Sequence, residues 1–115
     1  MNAWMTHNPA CGTSRNVLAA LRARGIEPEI REYLIEPLTR AEIAALVKEM
    51  GVPAKALVRW KQTDEVAAAG ISEASPEAAL IQAMADHPVL LNRPIVRTAK
   101  GVKLCRPSES VADIL

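Results

Sequence analysis

A chain of 115 residues that is 50% hydrophobic and 23% charged has the composition of one globular domain, long enough to bury roughly 65% of the surface its unfolded form exposes. Its 14 basic and 13 acidic residues leave a net charge of +1, which excludes a global field recruiting nucleic acid or an anionic membrane, so neither is an expected partner and any anion site is local. Trp4, Tyr33 and Trp60 are its only aromatic residues, which excludes a stacking platform for single strands and leaves an aliphatic core.

The N-terminal "MNAWMTHNPAC" has neither the basic start nor the apolar core of a signal peptide, and no apolar run approaches the ~18 residues of a membrane span. A cytoplasmic location is expected, where the two cysteines read as free thiols rather than a bridge. "NAWMT" is a short strand candidate of the kind buried on both faces. From Thr13, the spacing of Val17, Leu18 and Leu21 predicts a helical face that stops at Gly25. "EIREYL", Glu29 to Leu34, alternates and reads as a second strand, parallel to the first across the helix.

In "LTRAEI", Thr39 and Glu42 form a capping box, with Leu38 and Ile43 as a hydrophobic staple. Ile43, Leu46, Val47 and Met50 follow as the buried stripe, and Gly51 ends the helix. A short helix begins at Pro53 in "PAKALVRW", and "KQTDEVAAAGIS" reads as helical turns with loops. In "SPEAALIQAMADHP", Ser75 is the expected cap and Pro76 the first helical residue, with Leu80, Ile81 and Met84 buried. "RPIVRT" and "VKLC" read as a hairpin across "AKG", and "PSESVADIL" as a last helix. The order β-α-β, helices, β-β-α is the thioredoxin-like α/β plan with a helical insertion between the halves, expected as one domain over 1–115.

"HNPACGTSRN", His7 to Asn16, places Cys11 at the start of the first helix. There the macrodipole and unpaired N–H groups favour the thiolate. Gly12 permits close approach of a ligand, Thr13 and Ser14 offer hydroxyls, and His7 and Arg15 offer positive charge. Two other readings stand beside this one. A free cysteine is often a buried packing residue, and a lone histidine is often structural.

The stretch "HNPACGTSRN", with "EYL", "LNRPIV" and "LCRPSE" in order after it, resembles the glutaredoxin-coupled arsenate reductases, the ArsC family of the thioredoxin-like superfamily. The resemblance covers essentially the whole chain. It implies that Cys11 is the catalytic cysteine and His7 the histidine that helps keep it ionised, with Arg59, Arg93 and Arg106 around a bound oxyanion. A helix N-terminus and several guanidiniums suit a tetrahedral oxyanion. Gly12, Thr13 and Ser14 join them as substrate-binding residues.

The resemblance further implies arsenate as substrate, glutathione as co-substrate, glutaredoxin as partner, and no bound metal or organic cofactor. It places Pro94 where thioredoxin-like folds carry a cis-proline; a trans-proline opening an edge strand is the other reading. It assigns Cys105 no resolving role, so that thiol reads as packing at a strand end. The chain departs from the family pattern at Thr6, where a tyrosine is common, at Trp60, and in "KQTDEVAAAGIS", where a tyrosine is often found.

A rival function is that of an Spx-like regulator, a thioredoxin-fold protein that binds RNA polymerase without catalysis. Those proteins often carry a C-x-x-C switch, but here Ser14 holds the second cysteine position. A third possibility, a glutaredoxin-type thiol oxidoreductase, would need no arginine cluster.

Overall fold

The computed structural model describes residues 3–115. These divide into two compact units, one made of 3–36 with 93–115 and the other of Pro37–Asn92. The strand candidate "NAWMT" begins at Asn2, outside the described residues. Its described part forms β1, Trp4–Thr6, followed by α1, Gly12–Ala23, and β2, Glu29–Arg31. β1 and β2 are parallel, with Trp4 opposite Glu29 and Thr6 opposite Arg31.

α1 ends where expected. Gly25 takes φ +73 and its N–H bonds Arg22 O at 2.9 Å, while Ile26 N–H returns to Leu21 O. The left-handed conformation there is open to glycine and costly for residues with a Cβ.

β2 is shorter than the alternation of "EIREYL" suggests. After Arg31 the chain turns, with the N–H groups of Ile35 and Glu36 both bonded to Glu32 O, and Arg31 Nε donates to Glu36 O at 2.8 Å. The turn buries Tyr33 and leaves Leu34 and Ile35 exposed, so burial follows the turn rather than a strand alternation.

The hairpin returns in 93–115 as β3, Ile95–Thr98, and β4, Gly101–Leu104, completing a sheet of order β2-β1-β3-β4. β3 is antiparallel to both neighbours. Beneath this sheet Met5, Val17, Leu21, Val96, Cys105, Val111 and Ile114 form an aliphatic core with α1. The last helix, Ser108–Ile114, is of the 3-10 type. Pro107 O accepts both the N–H and the hydroxyl of Ser110, which closes the tighter i to i+3 turn. The fold is thioredoxin-like, with the 37–92 unit as its insertion in the chain.

That unit opens with α2, Arg40–Met50, and both halves of the Thr39–Glu42 capping box are present. Leu38, Ile43 and Leu46 are buried and Gly51 closes the helix at φ +66. A 3-10 turn, Ala54–Leu57, precedes α3, Thr63–Ala69, and α4, Glu77–Asp86, which packs on α2. α4 starts one residue later than the Ser75 cap predicts. Ser75 Oγ is occupied by Ser72 N–H at 2.9 Å, and Pro76 caps with its carbonyl, which accepts from Ala79 and Leu80. Both Glu77 carboxylate oxygens accept from Ala54 N–H, tying the 3-10 turn to the start of α4.

Candidate active site

Parallel pairing of β1 with β2 carries the chain out of the sheet at His7, whose N–H still bonds Arg31 O at 2.8 Å. The next residues make a closed turn. Asn8 Oδ1 accepts from Ala10 N–H, and Asn8 O accepts from Cys11 N–H at 2.9 Å. Arg15 Nη1 fastens the turn from the helix side by donating to Pro9 O at 2.8 Å. Cys11 is thereby held as the N-cap of α1, half-buried, with no side-chain cap of its own.

The hairpin supplies the cations. Ile95 lies opposite Leu104, and the pairing continues outward as Cys105 N–H to Pro94 O at 2.9 Å. One step further, Arg93 and Arg106 face each other, and Arg106 Nη1 donates to Arg93 O at 2.9 Å. The same Nη1 lies 3.9 Å from Cys11 Sγ. The Arg93–Pro94 peptide is cis, as is Arg106–Pro107.

Burial pushes the Cys11 thiol up, but the Ser14 backbone N–H, Arg93 and Arg106 all stabilise the thiolate. Together they bring it down from 9.0 to about 7. The thiolate is therefore accessible near neutrality, on a sulfur beside two guanidinium groups. Such a site can attack an electrophilic centre in an oxyanion that the same arginines hold.

Ser14 departs from its predicted role. It is fully buried, and its hydroxyl oxygen accepts from Asn8 N–H at 3.1 Å and lies 2.6 Å from His7 Nδ1. The hydroxyl thus faces inward, and Ser14 reaches the sulfur through its main chain. With Asn8 donating to that oxygen, the Ser14 hydroxyl shares one further hydrogen bond with His7 Nδ1, whose direction follows the imidazole tautomer.

His7 is itself buried, and loss of solvation lowers its pKa below 6.5 despite the opposing field of Glu32. That burial disfavours the imidazolium form, and the groups that act on the Cys11 sulfur are the Ser14 N–H, Arg93 and Arg106. Gly12 is exposed at the first helical position and Thr13 is half-buried beside it. A Cβ on Gly12 would meet nothing closer than Arg15 Nη2 at 3.7 Å, so the space above the first turn is open.

Arg59 belongs to the other unit. Its N–H donates to Leu90 O at 2.7 Å beside the Val58–Leu91 bridge, and its Nε is buried. Sequence reasoning missed two contributors. Asn8 organises the cysteine turn, which its position before a proline could have signalled. Thr6, the departure from the family pattern, is buried and its Oγ1 accepts from Ile95 N–H at 2.8 Å, fixing the start of β3 next to Pro94.

Residues 6–114 match the sequence profile of the ArsC family. The chain belongs to that family. The arsenate reductase of Rhizobium meliloti (strain 1021) is 47% identical over 116 residues, which span 100% of this chain and 82% of that protein. The arsenate reductase of Escherichia coli (strain K12) is also 47% identical, over 99% of this chain and 81% of its own length. Among solved structures, an arsenate reductase from Vibrio cholerae superposes with a TM-score of 0.88 at 36% identity, covering 100% of this chain and 98% of the other. At 47% identity over its whole length to these reductases the chain is an enzyme, and the cysteine turn and hairpin arginines lie in the segments that carried the resemblance.

Proposed function

We propose that the protein reduces arsenate to arsenite, with Cys11 as nucleophile, glutathione as co-substrate and glutaredoxin as the protein partner. The observation that carries this reading is the convergence of the Ser14 N–H, Arg93 and Arg106 on one sulfur. Arg93 and Arg106 neutralise the oxyanion, aided by the open first turn of α1 at Gly12 and Thr13. The resemblance assigns Arg59 to the same oxyanion, and the comparison of Arg59→Ala with Arg93→Ala tests that assignment. No bound metal or organic cofactor enters the scheme, and the cytoplasm is the compartment where glutathione is available.

In the first step the Cys11 thiolate forms a sulfur–arsenic bond and an As–O bond breaks, with hydroxide leaving as water after protonation. Glutathione thiol then displaces a second hydroxide, giving arsenic bonded to both sulfurs. A glutaredoxin thiol attacks the glutathione sulfur, and the electron pair of that S–As bond remains on arsenic. Arsenic passes from +5 to +3 while two sulfurs are oxidised to a mixed disulfide. Water displaces the Cys11 thiolate and frees arsenite. His7 and Ser14 hold the turn through their mutual hydrogen bond and the Asn8 N–H.

Arsenate-dependent NADPH consumption in the presence of glutathione, glutaredoxin and glutathione reductase tests the reading. Turnover is expected with the natural chain. Arg93→Ala and Arg106→Ala should each weaken arsenate binding about 10- to 100-fold, the range for losing a charge-assisted contact in a partly buried site. Calorimetric titration beside a melting curve separates binding from unfolding. Unchanged affinity in both variants, or no turnover in the natural chain, overturns the proposal.

A further inference from the structure

A groove of about 520 Å³ runs along the outside of α1 from the cysteine turn, lined by His7, Pro9, Arg15, Leu18, Ala19 and Arg22. Arg15, Leu18, Ala19 and Arg22 are spaced i, i+3, i+4 and i+7, so they lie along one helix face. The two arginines sit about 10 Å apart along the axis at 1.5 Å per residue. Between them the floor is apolar. At one end stands Pro9, two residues before the nucleophile, its carbonyl held by Arg15.

Arg22 pairs with Glu27 through Nε at 2.9 Å and Nη2 at 3.0 Å, both side chains being more than half exposed. That pairing fixes the plane of the guanidinium and leaves the two Nη1 hydrogens as donors for a second anion. Arg15 similarly uses Nη1 on Pro9 O. The groove therefore offers guanidinium N–H donors at each end of an apolar strip, those of Arg22 on a group already shared with Glu27, and it begins at the catalytic turn.

We infer that this groove is the glutathione subsite, with Arg22 and Arg15 receiving the two carboxylates of the tripeptide. The inference rests on glutathione being the reductant, and it adds where that reductant sits. The γ-glutamyl arm measures roughly 9 Å from thiol to carboxylate when extended, by standard bond lengths. Laid over Leu18 and Ala19 it reaches Arg22, while the shorter glycyl arm meets Arg15. This orientation leaves the thiol at the Pro9 end, facing arsenic carried on Cys11. A neutral thiol such as mercaptoethanol gains neither contact.

The test separates binding from turnover. ¹⁵N-labelled Cys11→Ser protein, which forms no mixed disulfide at residue 11, is titrated with reduced glutathione and, separately, with cysteinylglycine, which lacks the γ-glutamyl arm. The expected result is shifts of the Leu18, Ala19 and Arg22 amides with glutathione, affinity about 5-fold weaker in Arg22→Ala, and Arg22 unmoved by cysteinylglycine. Arg24→Ala removes a charge at the end of α1 outside the groove and should leave binding unchanged.

In the active chain, Arg22→Ala should raise the KM for glutathione about 5-fold with the KM for arsenate unchanged. Shifts confined to other surfaces, or equal effects of Arg22→Ala and Arg24→Ala, overturn the subsite. Failure of the natural chain to oxidise glutathione with arsenate overturns the proposed function instead, and the titration still decides the groove.

Discussion

Cys105 immediately precedes Arg106, whose guanidinium reaches Cys11, yet the two thiols are chemical opposites. Burial acts on both in the same direction, raising each pKa. At Cys11 the Ser14 N–H and two arginines outweigh it and the value falls to about 7. At Cys105 the opposing influences of Lys103 and Ser110 are too weak, and burial pushes it up to about 11. Cys105 is completely enclosed, among Met5, Val17, Leu21 and Val96. Reactivity is thus set by which donors converge on a sulfur, and a helix N-terminus beside a hairpin end provides them where the core does not.

The largest test of this contrast is Cys11→Ser. Turnover should fall by at least about 10³-fold, since a serine hydroxyl is not ionised at pH 7 and no other group replaces the nucleophile. The coupled NADPH assay reads it directly. Residual activity within tenfold of the natural chain would mean that the sulfur at the helix start is not the attacking group.

The next is pH. Alkylation by iodoacetamide at Cys11 should rise through a midpoint near 7 and level off above it, while Cys105 stays unmodified in the folded protein. The same values fix opposite signs in stability. Cys11, lowered from 9.0 to about 7, contributes stability that is present above pH 9 and lost as pH falls through 7. Cys105, raised to about 11, contributes stability present below pH 9 and lost as pH rises toward 11. Unfolding in denaturant across pH 6–11, with each cysteine replaced in turn, resolves the two. A single midpoint near 9 for both thiols would erase the distinction.

The sequence carried Cys11 to the helix start, because Val17, Leu18, Leu21 and Gly25 define α1 without tertiary information. It also carried the hairpin, and the resemblance singled out Arg93 and Arg106. Their mutual approach needed the register that sets Ile95 against Leu104, which the residue pattern does not encode by itself. The inward turn of the Ser14 hydroxyl was not legible either. Thr13 and Ser14 are chemically alike, and only the rotation of the first helical turn against β1 decides which oxygen is buried. The early end of β2 and the one-residue shift of α4 have a similar origin, in the bonds to Glu32 O and in Ser75 being claimed by Ser72.

Ser14→Ala makes that difference measurable. Asn8 N–H loses its acceptor and His7 Nδ1 its partner in a buried site, which should cost about 1–3 kcal/mol of stability. The Ser14 main chain remains, so the alkylation midpoint of Cys11 should stay near 7. A midpoint moving toward 9 while the melting curve is unchanged would show that the hydroxyl, and not the N–H, tunes the sulfur.

The smallest effect on catalysis is expected for Cys105→Ser. The replacement puts a hydroxyl among aliphatic side chains, with Lys103 O, now 3.6 Å from Sγ, as its nearest acceptor. Partial satisfaction of that hydroxyl keeps the cost to about 1–2 kcal/mol, or roughly 3–7 °C in Tm for a chain of this size. Below the melting range, turnover should remain within about twofold, because in the proposed sequence the third thiol comes from glutaredoxin and the core sulfur never meets the arsenic. Loss of turnover in a variant that still melts cooperatively would make Cys105 the resolving thiol. The enclosed sulfur would then have to reach the Cys11 turn during each cycle, and the contrast between a reactive and a packed cysteine would describe only the resting enzyme.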